Sequence, residues 1–440
     1  MAAPLRVTIV GAGLGGLAAA IACRHGGLEV TILERTAKIG NVGAGIQVPP
    51  NSGKTLSRLG VLSSIEKSST ALESWDLRRY ADGSLLVRRP MGETAVRLYG
   101  EHWRVIHRED YHAVLLEEAL RLGAKLQLDA QVEQVNPSGT ELTMVDGSIM
   151  KADIVIGADG LWSSVRGSFV NKPSPPSETG ELAYRATFSR SQLEALNDAR
   201  VEELCARKCV TLWLGPEKHC VFYPIRTGSS FNLVLMRPDN LPPGTRTAEG
   251  DLSEMRATFE GWDPTLISLI SCVSSVLKWK LMHHRELETW VQGNAALLGD
   301  ACHPTLPYQA QGAAMAVEDG AALGYLVSAY QRDLQADDPR LRSAPITQVL
   351  KLYEQMRKQR TTSNVAGADQ NRSLYHLPDG REQAERDAEM AGFDFDRGRS
   401  SYDWLDSDYT KDLLSYDVVG DAAAVYRQWR ERTASLEDYS

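Results

Sequence analysis

Gly11, Gly13 and Gly16 stand at G-x-G-x-x-G spacing directly after a β-branched run at residues 7–10. Such a run reads as a buried strand, and the Ala-rich stretch 14–24 behind the glycines reads as a helix. Each glycine has its own task in a phosphate-binding turn. Gly11 allows the tight turn, Gly13 lets a pyrophosphate reach the backbone at the helix N-terminus, and Gly16 lets helix and strand pack closely. A second strand over 29–33 runs into Glu34 and Arg35. Glu34 stands 18 residues past Gly16, where a ribose hydroxyl needs an acceptor. Strand, helix, strand and acid in this order predict a dinucleotide site. The acid selects an unphosphorylated ribose, hence FAD or NAD rather than NADP.

Two later segments bring chemistry back to the same sheet edge. A buried strand at 152–156 runs into Gly157-Ala158-Asp159-Gly160 and a helix, after a long excursion. Another, at 295–298, ends in Gly299-Asp300 and continues through Pro304, Pro307 and Gly312-Ala313-Ala314 into a helix reaching about residue 330. Ligands of open α/β sheets bind at such carboxyl edges, and a helix opening on small residues can face an anionic group. The glycine-dense stretch 40–51, with Gly45 and Gln47, predicts a loop whose backbone lies against a ligand. Arg108 precedes a helix predicted over 110–122, with Asp110 as its N-cap and Gly123 at its end.

Between these segments the character changes. Residues 180–285 are dominated by strand-like runs at 182–188, 209–214, 219–225, 231–236 and 276–281. Arg185 lies on the first of them. It can hold a phenolate or carboxylate by charge-assisted hydrogen bonds, or serve as a structural ion-pair partner. Strand alternation puts His219, Val221 and Tyr223 on one face. Tyr223 is a site candidate or a core-edge tyrosine, and His219 a base or a satisfied structural histidine. The alternating stretch near 72–90, with a turn at Asp82-Gly83, predicts a hairpin outside the dinucleotide sheet. The fold class expected is α/β. A Rossmann-like dinucleotide domain over 1–170 and 286–366, carrying that hairpin, is interleaved with a mainly β substrate domain at 178–285 and followed by a helical C-terminal extension at 367–440.

Composition removes several classes. The chain has 440 residues, 43% hydrophobic and 24% charged, enough for two or three domains. A net charge of −9 argues against nucleic-acid or anionic-membrane partners. No run of about 18 apolar residues appears, so no membrane span is expected. The six cysteines form no C-x-x-C pair and no secretory signal precedes them, which predicts reduced thiols and a cytoplasmic protein. His283-His284 has no third ligand at useful spacing, so no metal is expected. No G-x-S-x-G elbow supports serine chemistry.

The three ordered segments together resemble the single-component, FAD-dependent aromatic hydroxylases, and most closely their fungal salicylate-hydroxylase-like branch, over roughly residues 5–365. The resemblance implies that Glu34 binds the adenosine ribose and Arg108 the flavin side. Asp159 would serve FAD and a transient NAD(P)H, Asp300 the ribityl region, and Gly312 to Ala314 the isoalloxazine edge. Arg35, Gly45, Gln47, Val132 and Pro307 complete the cofactor set it implies. Related fungal enzymes carry an arginine and a later tyrosine on strands like those of Arg185 and Tyr223, which makes these two the expected catalytic pair. The activity implied is hydroxylation of a small aromatic or phenolic molecule, or of a fungal secondary metabolite, in a monomer or homodimer. NAD(P)H reduces FAD, O₂ adds at the flavin C4a, and the distal oxygen of the hydroperoxide passes to an electron-rich ring. Epoxidation and decarboxylative hydroxylation share the same motifs. An NAD-dependent dehydrogenase would explain residues 11–34 but not the Gly299-Asp300 segment, and a non-catalytic dinucleotide-binding protein would retain no flavin chemistry.

Overall fold

The computed structural model describes residues 3–40, 44–170, 174–336 and 344–437. Arg6–Val10 lies at the heart of a six-stranded sheet. It pairs in parallel with Glu29–Leu33 on one side and Ile154–Gly157 on the other, and Ala295–Leu297 follows in parallel. Val7, Ile9, Ile32, Ile154 and Ile156 are all buried, as a parallel sheet covered on both faces requires. Leu14–His25 and the 24-residue helix Gly312–Gln335 pack against each other there. Their approach is backbone-close: a Cβ on Gly320 would lie 2.4 Å from the Gly15 carbonyl oxygen, and one on Gly324 2.4 Å from the Ala22 methyl.

Residues 125–135 hold two strands. Lys125–Gln127 closes the parallel sheet, whereas Val132–Val135 joins a separate three-stranded sheet. Asp129, at φ 54°, breaks the run by turning the chain left-handed. The helix expected from residue 110 begins earlier, at Arg108–Arg121. Its cap is His107, whose ring nitrogen accepts from the Glu109 amide, and not Asp110. Leu122 caps its C-terminus, and Gly123 follows in the left-handed region at φ 90°.

An eight-stranded sheet forms the second layer, with Ser177–Ser189, Ser230–Pro238, Lys218–Ile225 and Cys209–Gly215 antiparallel at its centre. The hairpin Ser74–Arg79 and Leu85–Pro90 belongs to it, joined in parallel to Cys209–Gly215. One face packs against four short helices that strand patterning alone did not reveal: Arg190–Glu194, Ala199–Ala206, Leu252–Thr258 and Pro264–Ser271. Leu193, Leu204, Met255 and Leu266 meet Trp213, Phe222 and Phe231 in that layer. The opposite face carries Arg185, Val221, Tyr223 and Val234.

Asp76 ties the hairpin in. Its side chain is fully buried and takes charged hydrogen bonds from Arg88 at 2.9 and 3.0 Å and from Arg207 at 2.7 Å. Burial alone would raise the carboxyl; the Arg88 and Arg207 bonds overcome it and hold the group at about 2. A folded value depressed from about 4 contributes stability that is present above pH 4 and is lost as the pH falls toward 2, on the order of 2 kcal/mol. Acid titration of Asp76→Asn, followed by thermal melting, should show a lower melting temperature at pH 7 and a shallower loss of stability between pH 4 and 2.

The C-terminal region begins inside a helix rather than after one. Ile346–Tyr375 continues for 30 residues through the boundary expected near 366. Arg381–Met390, Ser407–Ser415 and Val418–Glu437 then fold back on the body. Trp404 packs with Trp75 and Trp103 at ring separations of 5.7 and 6.0 Å, so the extension shares a core with the hairpin.

Candidate active site

A cavity of about 440 Å³ opens where the carboxyl edge of the parallel sheet faces the free side of the large sheet. That volume is in the range of small-molecule sites. Ten of the sequence-predicted residues line it: Gly13, Gly45, Gln47, Arg108, Arg185, Tyr223, Asp300, Pro307, Gly312 and Ala313. They come from opposite ends of the chain and from both sheets.

The remaining predicted residues lie apart from the cavity wall. Gly11, at φ 107°, makes the turn: a Cβ there would lie 2.4 Å from the Ala158 carbonyl oxygen, and one on Gly16 would lie 2.2 Å from the Gly11 oxygen. Glu34 folds back onto this turn, accepting from the Ala12 amide at 3.0 Å and from Thr36. Arg35 is exposed beyond it. Val132 has its side chain in the core, and its carbonyl takes the Ser164 hydroxyl at 2.9 Å. Asp159 has its oxygens engaged by Ser163, Ser164 and Val165 at the start of the Ser164–Val170 helix, so its visible task is to cap that helix.

The residues present fit FAD on three observations. Gly13 has open space where a Cβ would stand. It begins the first helix with no side-chain cap, leaving its first amides directed outward beside Leu14 and Gly15 of the cavity wall. Gly312–Gln335 also starts without a side-chain cap, with Gly312 and Ala313 on the same cavity. Two uncapped helix N-termini and the Glu34 carboxylate are the donors and acceptor that pyrophosphate, flavin edge and ribose demand.

The charges on the far wall are cationic. Arg108 is lowered by burial and by the nearby Arg185, with Asp300 partly offsetting them. Tyr223 is fully enclosed, and burial pushes its hydroxyl well above the usual phenol range while Arg185 pulls it back. It is therefore a neutral O–H donor at working pH. The loop at Gly45 presses on it: the Gly45 amide donates to Asn232 Oδ1 at 2.9 Å, and a Cβ on Gly45 would lie 2.5 Å from the Tyr223 ring. Residues 41–43 of that loop lie outside the described residues.

His219 also lines the cavity, 3% exposed, with its Nδ1 2.8 Å from His376 Nε2. Alternation placed it on this face; its partner came from a tail whose sequence carries no motif. His303 hydrogen-bonds Asp319 Oδ2 at 2.5 Å beneath the Gly299-Asp300 turn, a structural position. Among the described residues, His107, Glu109 and Asp110 form one group with metal-like spacing. Arg226 already pairs with Glu109 at 3.0 Å and Asp110 at 3.3 Å. No described helix is long and apolar enough to cross a membrane.

Comparison with known proteins gives the family. The family model described as an FAD binding domain matches residues 4–344. The chain is 36% identical over 422 residues to the FAD-dependent monooxygenase OpS4 of Beauveria bassiana, covering 94% of this chain and 96% of that protein. It is 36% identical over 323 residues to the 6-hydroxynicotinate 3-monooxygenase of Pseudomonas fluorescens, covering 72% and 81%. A salicylate hydroxylase solved as a substrate complex superposes with a TM-score of 0.76 at 25% identity, covering 96% of this chain and 98% of that one. The expected family and fold therefore hold, and the chain belongs to the FAD-binding aromatic monooxygenases.

Proposed function

We propose that this enzyme uses NAD(P)H and O₂ to hydroxylate a small phenolic or carboxylated aromatic ring held in the cavity between the two sheets. The observation that carries the reading is the joint lining of one cavity by Arg185 and Tyr223 of the large sheet and by Asp300, Gly312 and Ala313 of the parallel sheet. When bound, FAD supplies the reductive activation of O₂ that no side chain provides. The chain's own residues do the rest. Arg185, with Arg108 nearby, creates a positive field that favours an anionic ring substituent. A ring held as its phenolate is electron-rich, which is the state that accepts an electrophilic oxygen. Tyr223 donates its O–H to a ring oxygen and fixes the ring's orientation. Val221, Val234, Met236 and Leu306 close apolar walls around it and exclude water. Glu34 holds the ribose, the turn Gly11, Gly13 and Gly16 the pyrophosphate, and Asp300 the ribityl chain.

Arg185 carries the most direct test. Arg185→Leu removes a charge-assisted hydrogen bond of roughly 2–3 kcal/mol, so KM for an anionic phenol such as salicylate should rise about 30- to 150-fold. FAD content should be unchanged, because Arg185 lies on the wall away from the glycine turn. Steady-state oxidation of NADH and of NADPH in air, with and without salicylate, reads both the reductant preference and this effect. An Arg185→Leu enzyme with unaltered KM for every anionic substrate would contradict the assignment.

A further inference from the structure

The loop over residues 305–311 joins two parts of the cofactor half of the cavity. It follows the Gly299–Ala301 turn and leads into Gly312, the first residue of the helix Gly312–Gln335. Thr305, Leu306, Pro307 and Ala310 line the cavity. Ala310 stands at φ 56°, in the left-handed region that a side chain disfavours. A strained backbone of this kind persists only where its surroundings over-determine it.

The two residues beside Ala310 are both buried glutamines, and each is held by a different part of the chain. Gln311 Oε1 accepts from Asn51 Nδ2 at 3.0 Å, and the same Asn51 nitrogen donates to Glu318 at 2.7 Å. That anchor belongs to the dinucleotide domain. The carboxamide of Gln309 lies against the hydroxyl of Tyr409 on the helix Ser407–Ser415, 3.1 Å away through its nitrogen and 3.2 Å through its oxygen. One residue earlier, Asn371 Nδ2 of the helix Ile346–Tyr375 donates to the Tyr308 carbonyl at 3.1 Å. The strained residue is therefore fixed between an anchor in the dinucleotide domain and two in the C-terminal segment. Gly367 is a separate sign that this contact matters. It lies in the interior of a 30-residue helix, where glycine is unfavourable. A Cβ there would run into the Tyr409 hydroxyl and stand 2.5 Å from Gln309 Nε2.

We propose that Tyr409 and Asn371 are positioning residues for the reaction: from the C-terminal segment they hold the loop 305–311 in its strained form and so keep the cavity wall closed during oxygen transfer. The inference rests on the monooxygenase reading above. A loop free to relax at Ala310 draws Leu306 and Pro307 away from the cavity and admits water. O₂ then leaves as hydrogen peroxide, having taken two electrons from the reductant and two protons without giving an atom to the ring. The C-terminal segment thereby sets how much of the reductant ends in product.

The test uses the FAD-loaded full chain and reads two quantities. One is product formed per NADH or NADPH consumed, with hydrogen peroxide measured beside it, for a panel of phenols including salicylate. The other is hydrogen–deuterium exchange of the peptide that carries residues 305–311, without reductant or phenol. Tyr409→Phe and Gly367→Ala should keep their FAD. Their loop peptide should exchange about 5- to 10-fold faster, the effect of losing one neutral hydrogen bond, and product per reductant should fall by a similar factor as peroxide rises. Ala310→Gly should restore both quantities in the Tyr409→Phe background, because glycine adopts the left-handed conformation without an anchor. Product yields like the wild type's in Tyr409→Phe and Gly367→Ala, whether or not the loop exchanges faster, would overturn the positioning role and leave the monooxygenase reading standing. A failure of Ala310→Gly to restore the yield would also overturn it. A wild-type enzyme that forms no product from any phenol would overturn the monooxygenase reading, and loop exchange that is the same in all variants would then show separately that the anchors do not hold the loop.

Discussion

A Gly13→Val protein is expected to fold like the wild type and to purify without flavin. Gly13 has φ −75° and ψ 176°, an extended conformation that valine adopts freely. Apart from its own chain neighbours, no protein atom lies within 4 Å of where its Cβ would stand. The protein itself thus has no objection to a side chain there, and the space belongs to whatever the helix N-terminus binds. A branched side chain pushes a pyrophosphate off the amides at the start of Leu14–His25. Losing two or three such hydrogen bonds costs on the order of 3 kcal/mol or more, so FAD affinity should fall at least about 100-fold. Gly16→Val is the contrasting variant. Its Cβ would lie 2.2 Å from the Gly11 carbonyl oxygen, a backbone atom that cannot step aside. That variant should lose fold and flavin together. Melting temperatures of the two apoproteins, beside fluorescence titration with FAD, separate the two causes.

Arg357→Met should produce the largest loss of stability. Arg357 is fully buried between two fully buried acids, 2.7 Å from Glu318 Oε2 and 2.7 Å from Asp319 Oδ1. Burial disfavours its charge, but Glu318 and Asp319 more than offset this and push the guanidinium further up. Burial likewise works against the Asp319 carboxylate, while His303 and Arg357 bring it down to about 2. Methionine fills much of the volume but removes the cation the two carboxylates share, leaving Glu318 with Arg360 at 3.4 Å and Asp319 with His303. Removing one partner of such a buried pair costs about 3–5 kcal/mol, a large share of a domain's net stability. The loss should reach the cofactor as well. Asp319 accepts from the Gly299 amide and from His303, beneath Asp300 of the cavity wall, and Glu318 accepts from Asn51 at 2.7 Å. Thermal melting of wild type and variant at pH 7, with and without FAD, should show a lower melting temperature in both states and weaker stabilisation by FAD.

The glycine turn was legible because backbone geometry dictates residue type there. Gly11 and Gly16 occupy places where a left-handed turn or close packing restricts the choice, and their spacing survives in sequence. Arg185 and Tyr223 were suggested as a pair by the family resemblance, and Tyr223 also by strand alternation, which fixes a face but not what that face looks toward. What sequence did not show are pairings between distant segments. The His219–His376 contact spans 157 residues, and Arg357 meets its acids from a helix whose exposed and buried charges look alike in sequence. Asp159 shows the converse: an acid in a motif whose oxygens are committed to a helix start. The short helices at 190–271 were hidden by strong strand runs on either side, since helices of five to eight residues carry too few turns to display a period.

In the proposed reaction, one oxygen atom of O₂ enters an aromatic ring bound beside the flavin. The direct measurement is turnover of the FAD-loaded enzyme with NADH or NADPH, a panel of phenols including salicylate, and isotopically labelled O₂, with products read by mass spectrometry. One phenol should accelerate reductant oxidation and yield a product carrying one labelled oxygen per reductant consumed. Bound flavin that oxidises NAD(P)H at a rate indifferent to every phenol, releasing only hydrogen peroxide and no labelled product, would contradict it.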